Sequence, residues 1–111
     1  MALQKETRIE SKRIREAAKG EACTLEIYGV CRSRSDTTVL CHLPDESHGM
    51  SRKSDDISSC FGCADCHDVI DGRKKWPDGE EKDKQWYFRR AQTRTLRRLI
   101  ELDVISIKGL K

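Results

Sequence analysis

The stretch Cys63-Ala64-Asp65-Cys66-His67-Asp68-Val69-Ile70-Asp71 decides the fold of this chain. Its two cysteines are separated by two residues, a spacing at which both thiolates reach one tetrahedral metal ion at about 2.3 Å. Two further ligands are needed, and Cys23 and Cys31 lie upstream on either side of a predicted strand end. The sequence therefore predicts a structural Zn(II) site bound by Cys23, Cys31, Cys63 and Cys66.

Cys60 leaves other metal chemistries open. Cys60, Cys63 and Cys66 are each two residues apart, as in some iron–sulfur proteins, although the next cysteine-proline element of that pattern is missing. The string from Cys63 to His67 also matches the haem-attachment motif, which would require export of the chain. Outside the zinc site, Cys41 and Cys60 are interpreted as buried small hydrophobic residues.

The composition favours a small soluble intracellular domain. The 111 residues fit one domain near the lower size limit for a self-sufficient core, and only 36% of them are hydrophobic. The polar N-terminus lacks a secretory signal, and no run approaches the roughly 18 apolar residues of a membrane span. In a reducing compartment we expect six cysteines to bind metal or remain thiols rather than to form a disulfide scaffold.

Charge is segregated along the chain. Residues 1–20 carry six Lys or Arg against three Asp or Glu, residues 73–99 carry ten against four, and residues 21–72 carry four against ten. Basic flanks suit a phosphate backbone and an acidic centre suits divalent cations, although solvated helix faces give the same pattern. The residues expected to bind nucleic acid are Lys53, Arg89, Arg90, Arg94, Arg97 and Arg98.

The residue pattern predicts an α+β fold. Residues 1–20 are predicted to be a basic N-terminal helix or arm, and residues 21–111 a single domain. Strands are predicted at 23–28, 37–43 and 104–107, and helices at 64–72 and from about 78 to 102. Asp78 and Glu81 form the predicted capping box of the last helix. Its predicted buried face consists of Phe88, Ala91, Thr95, Leu99 and Leu102.

Two histidines are the candidates for chemistry. His42 lies near the end of the 37–43 strand, and a pKa near 6.5 suits a histidine to act as a general base. His67 and Asp71 are four residues apart on one predicted helical face, so they could hold a divalent cation that polarises a scissile phosphate. The structural alternatives are a hydrogen-bonded strand histidine, a zinc ligand at His67, and an ion pair between Asp71 and Arg73.

Several segments resemble one known family. They are AAKGEACTLEIYGVC (17–31), TTVLCHL (37–43) and CADCHDVIDGR (63–73), with the spaced Gly49, Lys53 and Asp56 between them. This region, a little over half of the chain, resembles the YbcO-like family of prophage-encoded "putative nucleases", a divergent branch of the HNH, or ββα-metal, endonucleases. The resemblance implies a small zinc-stapled HNH-like domain flanked by basic helices.

The resemblance also implies roles for individual residues. His42 would be the general base, His67 a ligand of the catalytic divalent metal (Mg, Mn, Zn or Ni), and the four cysteines the structural zinc ligands. Many HNH enzymes have an acidic residue or histidine before the base, where this chain has Cys41. The chain contains no asparagine, so the alternatives are that Asp56 orients His42, that a serine at 58 or 59 does, or that no residue does.

The function expected from these observations is metal-dependent hydrolysis of a DNA phosphodiester. The resemblance implies a phage or prophage origin, the cytoplasm of a bacterial host, and a role in DNA recombination or processing with phage recombination proteins as possible partners. One alternative is a zinc module that binds DNA or a protein without catalysis. The other alternative is a redox protein or an iron–sulfur cluster protein.

Overall fold

The structure is a computed structural model that describes residues 8–44 and 54–110. These residues form a small α+β fold with three α-helices and one two-stranded sheet. In chain order the elements are α1 (Lys12–Ala17), β1 (Val39–His42), β2 (Ser59–Gly62), α2 (Ala64–Ile70) and α3 (Lys84–Glu101), with 3-10 turns at Ser35–Thr37 and Glu81–Asp83. No helix in the described ranges is long and apolar enough to cross a membrane.

The two strands form an antiparallel hairpin that carries both candidate centres. Cys41 lies opposite Cys60 and His42 opposite Ser59, and every residue of β2 is buried. Gly62 is required at the end of β2, because a Cβ there would lie 2.7 Å from Cys41 Sγ. The hairpin therefore holds His42 at one end and leads at the other directly into the knuckle formed by Cys63 and Cys66. The prediction that Cys41 and Cys60 are buried is confirmed.

Helix α3 covers β2 with one face. Its buried residues include the predicted Phe88, Ala91, Thr95 and Leu99, together with Tyr87. The Thr95 hydroxyl accepts a hydrogen bond from the Phe61 backbone N–H at 3.0 Å and lies 3.1 Å from the Thr24 hydroxyl. A polar side chain is stable in this buried position because its hydrogen-bonding groups are satisfied.

Helix α1 packs its apolar residues on the core. The helix begins after Ser11, whose hydroxyl accepts a hydrogen bond from the Ile14 backbone N–H at 3.2 Å. Ile14 and Ala18 are buried in a cluster with Phe61 and Leu99. Among residues 8–20 of the predicted basic arm, the α-helix covers Lys12–Ala17; residues 1–7 lie outside the described ranges.

The predicted strand at 23–28 is wrong. Cys23, Leu25 and Ile27 are buried, as their alternation predicted, but Glu26 adopts a φ of 42°. That conformation interrupts an extended backbone, so the segment packs as an irregular loop. Strand β2 (Ser59–Gly62) is not among the predicted strands.

The predicted closing strand at 104–107 is also wrong. Asp103 has a φ of 59°, the Asp103 N–H bonds to the Ile100 carbonyl at 3.0 Å, and the Val104 N–H bonds to the Leu99 carbonyl at 2.9 Å. These are the two hydrogen bonds of a Schellman motif. Val104 therefore caps α3 and packs on the core instead of pairing with a strand.

The predicted helix boundaries shift for local reasons. Gly79 has a φ of 84°, which ends any helix begun at Asp78, so the predicted Asp78–Glu81 capping box does not form. Helix α3 begins at Lys84 without a side-chain cap on its N-terminus. Helix α2 ends at Ile70 rather than residue 72, where Gly72 has a φ of 83°.

Candidate metal centre and histidine site

The four predicted zinc ligands come from two parts of the chain. Cys63 precedes α2 and Cys66 lies in its first turn. Cys23 lies in the loop after α1, and Cys31 follows a turn in which its backbone N–H bonds to the Ile27 carbonyl at 2.9 Å. The loop and the knuckle therefore present two cysteines each to one point, as the sequence predicted.

The sulfur geometry of this cluster fits a tetrahedral metal ion. All four Sγ atoms lie within 4.8 Å of one another, and Cys31 Sγ is 3.9 Å from Cys63 Sγ. Four thiolates at about 2.3 Å from a tetrahedral Zn(II) lie about 3.8 Å apart. Cys23, Cys63 and Cys66 are buried, and Cys31 is partly exposed. The cluster could therefore hold a metal ion such as zinc with little movement.

The cluster also favours a thiolate before any metal binds. The hydrogen bond from Cys66 lowers the pKa of Cys23 to about 5, against the opposing effect of burial. The same interaction, together with burial, raises the pKa of Cys66. Burial raises the pKa of Cys31 to about 11. A thiolate at Cys23 provides a starting point for a cation, which would displace the protons of Cys31 and Cys66 on binding.

The second centre is a histidine–carboxylate pair at the other end of the hairpin. His42 Nε2 lies 2.8 Å from Asp56 Oδ1, and the Asp56 side chain is fully buried. Asp56 Oδ2 accepts a hydrogen bond from the Ser11 backbone N–H at 2.7 Å. Asp56, one of the residues expected to orient His42, is therefore the one in contact with its ring.

The charge of Asp56 defines the hydrogen-bonding role of His42. Burial raises the pKa of Asp56, but the hydrogen bonds from His42 and Ser11 and the charges of His42 and Arg8 outweigh it, so the pKa lies below its usual value. An ionised carboxylate only accepts hydrogen bonds, so Nε2 of His42 carries the proton in this contact. In the neutral ring, Nδ1 then has a free lone pair.

Arginines on the N-terminal segment surround the same carboxylate. Arg8 Nη2 lies 3.2 Å from Asp56 Oδ1 and 3.2 Å from His42 Nε2, and Arg15 Nε lies 3.5 Å from Asp56 Oδ2. Sequence reasoning missed both residues. No local pattern could have indicated Arg8, because its partners lie 34 to 48 residues away along the chain.

His67 and Asp71 meet on α2 as their spacing predicted. His67 Nε2 lies 3.0 Å from Asp71 Oδ2, which is also 3.2 Å from Arg73 Nη2. Within residues 8–44 and 54–110, the four cysteines are the only group of three or more metal-ligating side chains. A metal at His67 and Asp71 would therefore have two side-chain ligands from the described residues.

The arginines of α3 separate into two kinds. Arg90 donates to the Leu25 carbonyl at 2.9 Å and stacks over Trp86 at 4.3 Å, while Arg94 and Arg98 pair with Glu26 at 2.9 Å and Glu21 at 2.6 Å. Arg89 and Arg97 are exposed and form no ion pair with other described residues. Lys53 and Gly49 lie outside the described ranges.

Comparison with known proteins identifies relatives of this chain. The family described as "Putative nuclease YbcO" matches residues 12–104. The proteins named "Putative nuclease YbcO" from Escherichia coli K12 and "Putative nuclease ybcO" from Enterobacteria phage 82 are each 36% identical over 66 residues, which cover 59% of this chain and 69% of each relative.

A solved structure shares the fold. The "putative bacteriophage protein" from E. coli K-12 MG1655 has a TM-score of 0.60 and 29% identity, and the alignment covers 82% of this chain and all of that protein. The family match extends over most of the chain, from the first residue of α1 to the residue that caps α3. The chain therefore belongs to the family described as "Putative nuclease YbcO".

Proposed function

We propose that this protein is a metal-dependent DNA endonuclease of the HNH type, which hydrolyses a phosphodiester bond. The observation that carries the proposal is the 2.8 Å contact between His42 Nε2 and the buried Asp56 carboxylate. This contact favours the ring tautomer in which Nδ1 can accept a proton from a water molecule. The family description of a nuclease supplies the reaction class.

The proposal assigns separate duties to two metal ions. Zn(II) on Cys23, Cys31, Cys63 and Cys66 would be structural, since a site with four protein ligands leaves no open position for substrate. A second divalent cation, Mg, Mn, Zn or Ni, would be held by His67 with Asp71. Water and phosphate oxygens would complete its coordination, which is the open arrangement that catalytic metals need.

The nucleic-acid interface is proposed to include the arginine face of α3. An open cavity of about 510 Å³ is lined in part by Arg94, Arg97 and Arg98. Arg89 and Arg97 are exposed without an ion pair in the described ranges, so they suit phosphate contacts that carry little sequence selectivity. The proposal includes a role in phage DNA recombination or processing, with recombination proteins as partners. A relative from Enterobacteria phage 82 supports the phage context alone.

A nicking assay on supercoiled plasmid DNA tests the proposal. The wild-type protein is expected to nick with at least one of Mg, Mn, Zn, Co or Ni. His42→Ala is expected to keep its zinc content, fold and DNA affinity but to lose about 10²- to 10⁴-fold in rate, as expected for a missing general base. Metal analysis and circular dichroism of the same samples are the controls.

Two outcomes would reject the catalytic proposal. A wild-type protein that is inert with all five metals would favour a noncatalytic zinc module that binds DNA or a protein. Nicking at an unchanged rate by His42→Ala would remove the base assignment. His67→Ala separates the metal from the base, because its activity should be partly restored by a higher concentration of the divalent metal.

A further inference from the structure

The segment before α1 is fastened to the loop that carries Asp56. The Ile9 N–H donates to Asp55 Oδ1 at 2.8 Å, the Ile9 carbonyl accepts from the Asp56 N–H at 2.9 Å, and the Ser11 N–H donates to Asp56 Oδ2 at 2.7 Å. Arg8 Nε adds a hydrogen bond to the Ser54 carbonyl at 2.9 Å. Residues 8–11 are therefore part of the His42 site.

The Arg8 guanidinium contacts two buried residues and one exposed carboxylate. Its Nε and Nη2 contact the buried residues Ser54 and Asp56. Its Nη1 lies 2.7 Å from Glu10 Oε1, and the Glu10 side chain is 56% exposed. An exposed ion pair of this kind contributes little free energy, so a competing anion can replace Glu10 at little cost.

Two guanidinium groups face the one buried carboxylate of the site. Asp56 is a single carboxylate facing the guanidinium groups of Arg8 and Arg15, at 3.2 and 3.5 Å. The remaining carboxylates lie around them: Asp55 Oδ1 accepts from the Ile9 N–H at 2.8 Å, and Glu10 contacts Arg8 from the solvent side. With Nε and Nη2 held by Ser54 and Asp56, Nη1 is the atom that could donate a charge-assisted hydrogen bond to a phosphate oxygen in place of Glu10.

We infer that Arg8 binds a nucleic-acid phosphate beside His42, and that Glu10 occupies the guanidinium until the phosphate replaces it. The inference rests on the proposed function for the identity of the anion. Arg8 would position the phosphodiester next to His42, and Glu10 would weaken binding of any nucleic acid that cannot compete for Arg8. Residues 8–11 thus become a substrate-binding part of the site.

The test measures binding of a short fluorescent DNA duplex by anisotropy, without added divalent metal. Arg8→Gln is expected to weaken binding about tenfold or more and to reduce the salt slope by about 0.9, as for one lost phosphate contact. Arg8→Lys should restore part of the affinity. Glu10→Gln should tighten binding about two- to fivefold.

Glu16→Gln is the matched control for Glu10→Gln. It removes the same charge from an exposed ion pair, with Lys12 at 3.8 Å on α1. The increase in DNA affinity from Glu10→Gln should exceed the increase from Glu16→Gln. It should disappear when Arg8→Gln is present in the same protein. A thermal melt of each variant shows whether a change in affinity comes from loss of the fold. Because Glu10 is exposed, Glu10→Gln should stay folded and still tests the inference if Arg8→Gln is unstable.

The outcomes separate this inference from the proposed function. Equal effects of Glu10→Gln and Glu16→Gln, or unchanged affinity in Arg8→Gln, would overturn the inference. Wild-type protein that does not bind DNA would overturn it too. If binding depends on Arg8 and Glu10 as expected but no metal supports nicking, the inference stands and the catalytic proposal fails.

Discussion

Replacing Asp56 with asparagine should strongly destabilise the protein. The fully buried carboxylate accepts from His42 and the Ser11 N–H and contacts Arg8 and Arg15. Asparagine keeps one acceptor oxygen but turns an N–H₂ group toward the remaining donors. Breaking a buried charge network in this way costs about 3–5 kcal/mol. Since the free energy of unfolding of a domain is about 5–15 kcal/mol, a large fraction would be lost.

The loss of stability caused by Asp56→Asn should become smaller at acidic pH. Because the pKa of Asp56 is lowered in the folded protein, its contribution to stability is fully present above the unfolded value of about 3.9. The contribution is lost as the pH falls from there through the folded pKa. The gap in stability between wild type and Asp56→Asn should therefore narrow below about pH 4.

Thermal unfolding followed by circular dichroism measures both effects. For a domain of this size, 1 kcal/mol corresponds to about 4 °C, so the Tm should fall by about 12–20 °C near neutral pH. Asp78→Asn, which removes an exposed carboxylate from a turn, is the control and should leave the Tm nearly unchanged. A fall of less than about 4 °C in Asp56→Asn would refute the idea that this network stabilises the fold.

Three further changes test the core and the cluster. Thr95→Val should cost about 1–3 kcal/mol in urea unfolding, because the buried Phe61 N–H loses its acceptor, whereas the same change at the exposed Thr93 should cost little. Gly62→Ala should cost about 1–3 kcal/mol and lower the Tm, since its Cβ would lie 2.7 Å from Cys41 Sγ; an unchanged Tm would contradict the packing. Stripping bound metal with a chelator should unfold the protein, and added Zn(II) should restore its circular dichroism; a chelated sample that stays folded would argue against a structural metal.

The parts of the fold that the sequence predicted are those encoded by local spacing. The buried face of α3 follows from helical periodicity, and the Cys63–Cys66 knuckle follows from a fixed separation that any metal-binding pair needs. The contact between His67 and Asp71 is of the same kind, since residues four apart on a helix are neighbours.

The missed parts depend on contacts between distant residues. Strand β2 is short and buried on both sides, so it has no alternating pattern that would distinguish it from a loop. Arg8 appeared to be one charge among many in a basic arm, yet it contacts His42 and Asp56 across more than 30 residues. The roles of these residues depend on tertiary packing, which cannot be read from the periodicity of a single segment.

The position of the cysteine cluster limits which variants can reveal catalysis. Cys23, Cys63 and Cys66 belong to the main apolar core, and β2 connects Cys63 directly to the loop that carries Asp56. A cysteine variant would therefore loosen the hairpin that holds His42, and its loss of activity would not show that the cluster takes part in the reaction. Variants of His42 or Arg8 that keep the metal content and the fold of the wild type do not have this ambiguity. Unchanged metal content is thus the criterion that separates a catalytic effect from a structural one in this protein.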